Sequence, residues 1–243
     1  MRRIGTAPDL RTFRYLTFDV VGTLIDFEGG LTATMAAIAA EARVPFDGET
    51  ALAHYRAARY MKEALRFPDD LPRCYRVIAP KLGLPVRDDC AERLRADVAR
   101  WKGFSDSRAA LARLAKRYRL VAMTNAQRWA LDHFERELGA PFWASFSVDD
   151  THVEKPDPAY FHQVIAFIGK QGGSKADILH VAQSQYHDIG VSRRLGLANC
   201  WIERRHDLKG YGGTIEPESF TEPDYHFTSL AGLADAVEAE PAA

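Results

Sequence analysis

Asp19 ends a short run of apolar and aromatic residues, Tyr15-Leu16-Thr17-Phe18, and is followed by Val20-Val21-Gly22-Thr23. A run of this length reads as a buried strand, and Gly22 breaks it into a turn. A carboxylate at the end of such a strand is aimed by rigid backbone and reaches the crevice where α/β sheets bind their ligands. The plainer alternative is an aspartate that only caps the following turn. Three more places carry polar groups after an apolar run or in the loop beyond it. These are Thr124-Asn125 after Val121-Ala122-Met123, Lys155 before Pro156, and Ser184 with Asp188 in Gln183-Ser184-Gln185-Tyr186-His187-Asp188. Taken singly, Thr124 and Asn125 could cap a helix, Lys155 could be a solvated surface lysine, and Asp188 could be an N-cap. Taken together, at the same end of four strands, they converge on one crevice, with Thr23 beside Asp19.

The elements that must position these groups follow from the pattern. A helix is predicted over 31–42, interrupted by Pro45 and Gly48. From 49 to about 101 the chain reads as helix only: 49–66, a break at Pro68 and Pro72, then 74–82, Gly83 to Pro85, and 88–100. Strand and helix then alternate. Helices are predicted over 107–118, 128–138, 159–168, 188–195 and 230–238, with strands over 119–123, 146–148, 178–182, 199–202 and 225–227. Gly139 suits a helix C-cap and Pro158 a helix start. Alternation on this scale predicts an α/β fold: a Rossmann-like parallel sheet with helices on both faces, joined by right-handed crossovers. The helical block reads as an inserted cap, 29–102, and the core domain as 1–28 with 103–243. Gly210-Tyr211-Gly212-Gly213 reads as a flexible loop, since it lacks both GxGxxG and a P-loop lysine.

Composition excludes several classes. The chain has 243 residues, 47% of them hydrophobic, and a formal charge of −1. That balance offers no case for nucleic acid or an anionic membrane as partner. Basic residues gather at Arg113 to Arg119 and Arg204 to Lys209, but apolar or acidic positions interleave with them. The three cysteines, Cys74, Cys90 and Cys200, form no CxxC pair and no Cys/His metal spacing, which points to a reducing, cytoplasmic setting and to thiols that pack as small hydrophobes. Met1 to Pro8 are basic without a signal-type apolar segment after them, and no apolar run approaches the ~20 residues that span a bilayer.

The set of motifs resembles the haloacid dehalogenase-like hydrolase superfamily across nearly the whole chain. Its first motif, an Asp followed after two residues by Gly-Thr, is matched by Asp19-Val20-Val21-Gly22-Thr23. Its second, a Ser or Thr after an apolar strand, is matched by Thr124. Its third, a Lys often followed by Pro, is matched by Lys155-Pro156. Its fourth, an acidic region after a further strand, is matched by the stretch from Gln183 to Asp188. The phosphatases of that superfamily carry a second Asp two residues after the nucleophile, to protonate the leaving alkoxide. Here that position is Val21, and a lost general acid typically costs about 10²- to 10⁴-fold. The first acidic place of the fourth motif is Gln183, which leaves Asp188 alone. Mg²⁺ prefers carboxylate oxygens, so its site is weakened.

Halide needs neither a proton nor a metal to leave, and the chain is similar to the 2-haloacid dehalogenase branch. That branch has a non-acidic residue at the Val21 position, an Asn after the second-motif Thr, and a helical cap. The Cys200-Trp201-Ile202-Glu203-Arg204 stretch also looks like the strand that follows its fourth motif. The branch usually has an aromatic at the Val21 position, and Ser-x-Asn where this chain has Gln183-Ser184-Gln185.

The resemblance implies Asp19 as nucleophile, Lys155 keeping it ionised, and Asp188, with Lys155 near it, positioning the water or accepting its proton. It implies Thr23, Thr124, Asn125 and Ser184 as binding groups, and a cap arginine matched best by Arg56, with Arg59 close behind. His187 is either a base or an orienting residue. The implied substrate is a small 2-haloacid or related carboxylate, with no cofactor, and dimers are common in the branch. Three alternatives stay open: another carbon–heteroatom hydrolase, a phosphatase using Mg²⁺, and a non-catalytic binding protein.

Overall fold

A computed structural model describes residues 2–3 and 8–239. Among them the strands are β1 (Arg2–Arg3), β2 (Tyr15–Asp19), β3 (Arg119–Met123), β4 (Ala144–Phe146), β5 (Ile178–Ala182), β6 (Ala198–Ile202) and β7 (Tyr225–Phe227). They form one sheet in the order β1-β7-β6-β5-β2-β3-β4. Neighbours from β2 to β7 pair parallel, and β1 pairs antiparallel with β7. The order reverses at β2, which lies between β3 and β5, so a crevice opens beyond the carboxyl ends of these three strands. Every residue of β2 is buried, as expected for a central strand covered on both faces. Alternation sends Leu16 and Phe18 into the larger core cluster and Tyr15 into the other, against Tyr160, Phe161, Val164 and Ile168. Thr17 and Asp19 share the Tyr15 face.

Ten α-helical segments are described: α1 (Phe27–Ala42), α2 (Gly48–Arg59), α3 (Leu71–Ile78), α4 (Asp88–Ala96), α5 (Ser107–Leu114), α6 (Arg128–Glu137), α7 (Val148–Thr151), α8 (Pro158–Lys170), α9 (Gly190–Arg194) and α10 (Leu230–Ala239). Between β2 and β3, α1 to α4 pack on one another, with α3 against both α2 and α4.

The strands predicted at 119–123, 178–182 and 225–227 are observed with those bounds, and several other elements shift. Helix α1 starts four residues before its predicted start because Asp26 caps it, accepting from Gly29 N at 2.9 Å. Glycines 29 and 30 are poor helix formers, but a Cβ on Gly30 would lie 2.4 Å from the Trp101 ring, so the missing side chain admits that ring. Helix α2 stops at Arg59, short of the predicted 66. Asp70 accepts from Leu65 N and from Arg59, and so draws the following segment across the helix end. The helices predicted at 74–82 and 88–100 each finish in a short 3₁₀ turn, Ala79–Leu82 and Asp97–Arg100. Strand β4 precedes the predicted 146–148, because Ser147 and Asp150 form a capping box that makes Val148 the start of a helical turn. Instead of a helix beginning at Asp188, a π-helical turn spans Gln185–Ile189 with Ser184 as its N-cap.

Candidate active site

Asp19 lies at the end of β2, where Gly22, at φ +94°, turns the chain back so that its N–H donates to Ile25 O at 2.9 Å. That turn places Thr23 behind the carboxylate. Thr23 Oγ1 donates to Asp19 Oδ2 at 2.6 Å and accepts from Gln183 N at 2.8 Å, which ties the end of β2 to the loop after β5. The other oxygen, Asp19 Oδ1, accepts from Lys155 Nζ at 2.9 Å.

Lys155 uses all three ammonium protons: Asp19 Oδ1, Asp188 Oδ1 at 2.7 Å and Met123 O at 3.0 Å. Its backbone is held by Asn125, whose Nδ2 donates to Lys155 O at 2.8 Å and whose Oδ1 accepts from Lys155 N at 2.7 Å. Asp188 Oδ1 accepts a second hydrogen bond, from His180 Nε2 at 3.0 Å. Asp188 Oδ2 is buried and has no hydrogen-bond partner.

The charges in this cluster set one another. Burial would lower the Lys155 ammonium, but the Asp188 and Asp19 charges outweigh it and hold its pKa above the ordinary value. Burial would raise Asp188, but Lys155 and the His180 hydrogen bond pull it below the carboxylate range. Asp19 goes the other way: burial and the Asp188 charge lift it, against Lys155 and Thr23. Half-buried His187 is pushed down to about 4, first by loss of water and then by Lys155 and Arg59, so the imidazole is neutral at pH 7. Its Nδ1 lies 3.1 Å from Ser184 Oγ.

A cavity of about 340 Å³ opens above Asp19, Lys155 and Asp188. Thr124, Asn125, Ser184, His187 and Arg59 line it, whereas Thr23 stays beneath the floor. The Thr124 hydroxyl accepts from Ala126 N at 3.1 Å, and Ser184 Oγ accepts from His187 N at 2.9 Å. Arg56 does not line the cavity; its Nη1 donates to Gly212 O at 2.7 Å. Arg59, one helical turn further along α2, does. Its guanidinium pairs with buried Asp70 and donates to Leu65 O at 2.8 Å, while Asp70 also holds Arg73 at 2.6 Å.

Several lining groups carried no functional signal in the sequence. Phe27 at the start of α1, with Tyr55 and Phe67 from the helical block, supplies apolar walls. Gly213, Thr214 and Ile215 close another side. The glycine-rich loop is anchored to α1 and α2: Gly213 N donates to Glu28 Oε1 at 2.8 Å, and Arg205 pairs with Glu28 and Glu49. Glu154 also lines the cavity, with its pKa raised by burial and lowered in part by Arg59 and Arg66. His180 was legible only as one polar residue inside the buried strand Ile178-Leu179-His180-Val181-Ala182.

A divalent cation at Asp19 and Asp188 fits these residues poorly. Three of the four carboxylate oxygens already accept hydrogen bonds, and position 183 offers an amide whose Oε1 lies 3.4 Å from Thr214 Oγ1. Among the described residues no group of three or more His, Cys, Asp or Glu side chains could hold a metal ion. The thiols of Cys74 and Cys200 are buried, and burial raises both above the ordinary value.

The profile of the family described as haloacid dehalogenase-like hydrolase matches residues 13–190, which include every polar group of this cluster. The chain belongs to the haloacid dehalogenase-like hydrolases. Comparison with curated proteins gives no significant match. Solved structures of similar fold include the defluorinating L-2-haloacid dehalogenase Rha0230, at 18% identity and TM-score 0.74, covering 95% of this chain and 98% of that one. The L-2-haloacid dehalogenase of Xanthobacter autotrophicus with chloropropionic acid covalently bound matches at 20% identity and TM-score 0.70, covering 94% and 100%. The magnesium-bound HAD-hydrolase YfnB of Bacillus subtilis matches at 18% identity and TM-score 0.72, covering 93% and 99%. At these identities the likeness is one of fold. Among the described residues of this haloacid dehalogenase-like hydrolase, no helix is long and apolar enough to cross a membrane.

Proposed function

We propose that this hydrolase removes halide from small 2-haloacids through an ester on Asp19, without a metal. The observation that carries the reading is a carboxylate on the cavity floor, braced by Lys155 and Thr23, with Val21 lining the cavity where a phosphatase needs an acid. An Asp19 oxygen attacks C2 of the substrate; the C–O bond forms as the carbon–halogen bond breaks, and the halide leaves with the bonding pair. Water then attacks the ester carbonyl carbon and gives a proton to Asp188. The tetrahedral adduct expels the 2-alkoxide, which takes that proton and departs as the 2-hydroxyacid. The proton left on Asp19 goes to solvent.

Lys155 keeps both carboxylates ionised between steps. Within this reading the block 29–102 is a cap over a core of 1–28 and 103–243. Arg59 takes the place of Arg56 as the cap arginine for the substrate carboxylate. Thr124, Asn125 and Ser184 shape the bound acid, and Thr23 acts only through Asp19. Halide release from a panel of short 2-haloacids, with and without chelator and beside p-nitrophenyl phosphate, tests the reading. Chelator-resistant halide release that Asp19→Asn abolishes is expected; magnesium-dependent phosphate release with no halide would overturn it.

One observation favours a second reading, hydrolysis of a substrate that also carries an ammonium group. Asp19, Asp188 and Glu154 put three carboxylates on the cavity against Lys155 and Arg59, and Arg59 is already paired with Asp70. A simple 2-haloacid adds another negative charge there, whereas a zwitterion supplies the missing positive one.

A further inference from the structure

A buried polar chain runs behind Asp188. Thr17 on β2 and His180 on β5 are direct cross-strand neighbours, both buried. Thr17 Oγ1 lies 2.9 Å from His180 Nδ1, and His180 Nε2 lies 3.0 Å from Asp188 Oδ1. An ionised carboxylate can only accept, so Nε2 carries a proton, and in the neutral ring Nδ1 then accepts from the threonine hydroxyl. The ring is wedged edge-on against Phe161, with centroids 5.2 Å apart. Its position therefore follows from two strands and one aromatic contact.

We propose that His180, oriented by Thr17, is a positioning residue for the hydrolytic half of the reaction. Asp188 Oδ1 accepts from two fixed donors on separate elements, Lys155 and His180. Two such bonds fix both the position and the rotation of the carboxylate, leaving the partnerless Oδ2 as the oxygen that receives a proton from water. Lysine alone fixes the charge but not the rotation, because a single point-charge donor permits the carboxylate to turn about it. Halide departure makes no demand on Asp188, so loss of His180 falls on ester breakdown and spares ester formation.

The inference rests on the Asp19 ester reading, and rapid-quench kinetics with intact-protein mass spectrometry separates the two. In His180→Leu the first equivalent of halide appears at the wild-type rate, then turnover falls about 10- to 100-fold, the usual worth of one hydrogen bond to a charged group. The fraction of enzyme carrying the ester rises accordingly. His180→Gln, which offers an N–H near the Nε2 position, restores most of the turnover. Thr17→Val, which frees the tautomer while preserving volume, gives a smaller rise in ester and stands in should His180→Leu not fold. Equal losses in the burst and in steady turnover, or an unchanged ester fraction in the variants, would overturn the role of His180 alone. A wild-type enzyme that releases no halide and shows no adduct on Asp19 would overturn the ester reading and this inference with it.

Discussion

Lys155 sets the state of two carboxylates at once, and the two respond differently because their other neighbours differ. Asp188 has His180 as a second donor and lies below the ordinary range, while Asp19 is lifted above it by burial and by the Asp188 charge, which Lys155 and the Thr23 hydroxyl only partly offset. Under the proposed scheme, the carboxylate that burial lifts is the one that attacks carbon. Glu154, next in sequence to Lys155, adds a third carboxylate to the cavity lining. If substrate brings an ammonium group, 3-amino-2-hydroxypropanoate will bind more tightly than 2-hydroxypropanoate as a product analogue, and Glu154→Gln will remove that preference by about tenfold. Titration calorimetry with both compounds measures it without turnover. Equal binding by the wild type, unaltered in Glu154→Gln, leaves the simple 2-haloacid as the fitting substrate.

At the scale of elements, the turn after β2 and the start of α1 bind the helical block to the sheet. Trp101 lies against Gly30 and stacks on Phe134 of α6, with centroids 6.4 Å apart and planes 13° from parallel. A methyl group at position 30 must displace that ring. Gly30→Ala is therefore expected to destabilise by about 1–3 kcal/mol, although alanine is the better helix former. Urea unfolding read through tryptophan fluorescence checks the sign, and a stabilised variant would show that helix propensity outweighs packing. The 203–215 loop is held to the same block through Arg205, Glu28 and Glu49, which explains how a segment rich in glycine can form a defined wall.

For the whole molecule, burial of titratable groups ties stability to pH. His187 takes its proton near pH 6.5 in the unfolded chain but only at about 4 in the folded one. Between those values the unfolded state binds more protons, so stability falls as pH falls through that window. Asp188, lowered in the fold, contributes stability above its ordinary value of 3.8 that is lost on further acidification. Asp19 has the opposite sign, since its raised pKa penalises the folded state once it ionises. Melting temperature is expected to drop from pH 6.5 towards 4, and His187→Gln to flatten that decline. An unaltered slope in His187→Gln would place the acid sensitivity elsewhere.

Pattern along the chain missed β1, α7 and the π-helical turn at Gln185–Ile189, but was enough for the central strands, for most of the helices and for the polar positions that gather around Asp19. These depend on local properties: an apolar run short enough for a strand, a glycine that ends it, a proline that starts a helix. The family follows from the same positions, because Asp19, Thr124, Lys155 and Asp188 occur in order at strand ends or in the segments that follow them. Choosing between Arg56 and Arg59 was beyond the sequence, as both lie on α2 and only packing against Gly212 and Asp70 turns one away from the cavity. Likewise His180 reads as one polar residue in a core strand until register brings Thr17 beside it. Glu154 and Gly213 enter the cavity through contacts between segments far apart in sequence. Tertiary structure alone decided these, because local propensity determines elements while long-range packing and charge pairing determine which side chains face the same space.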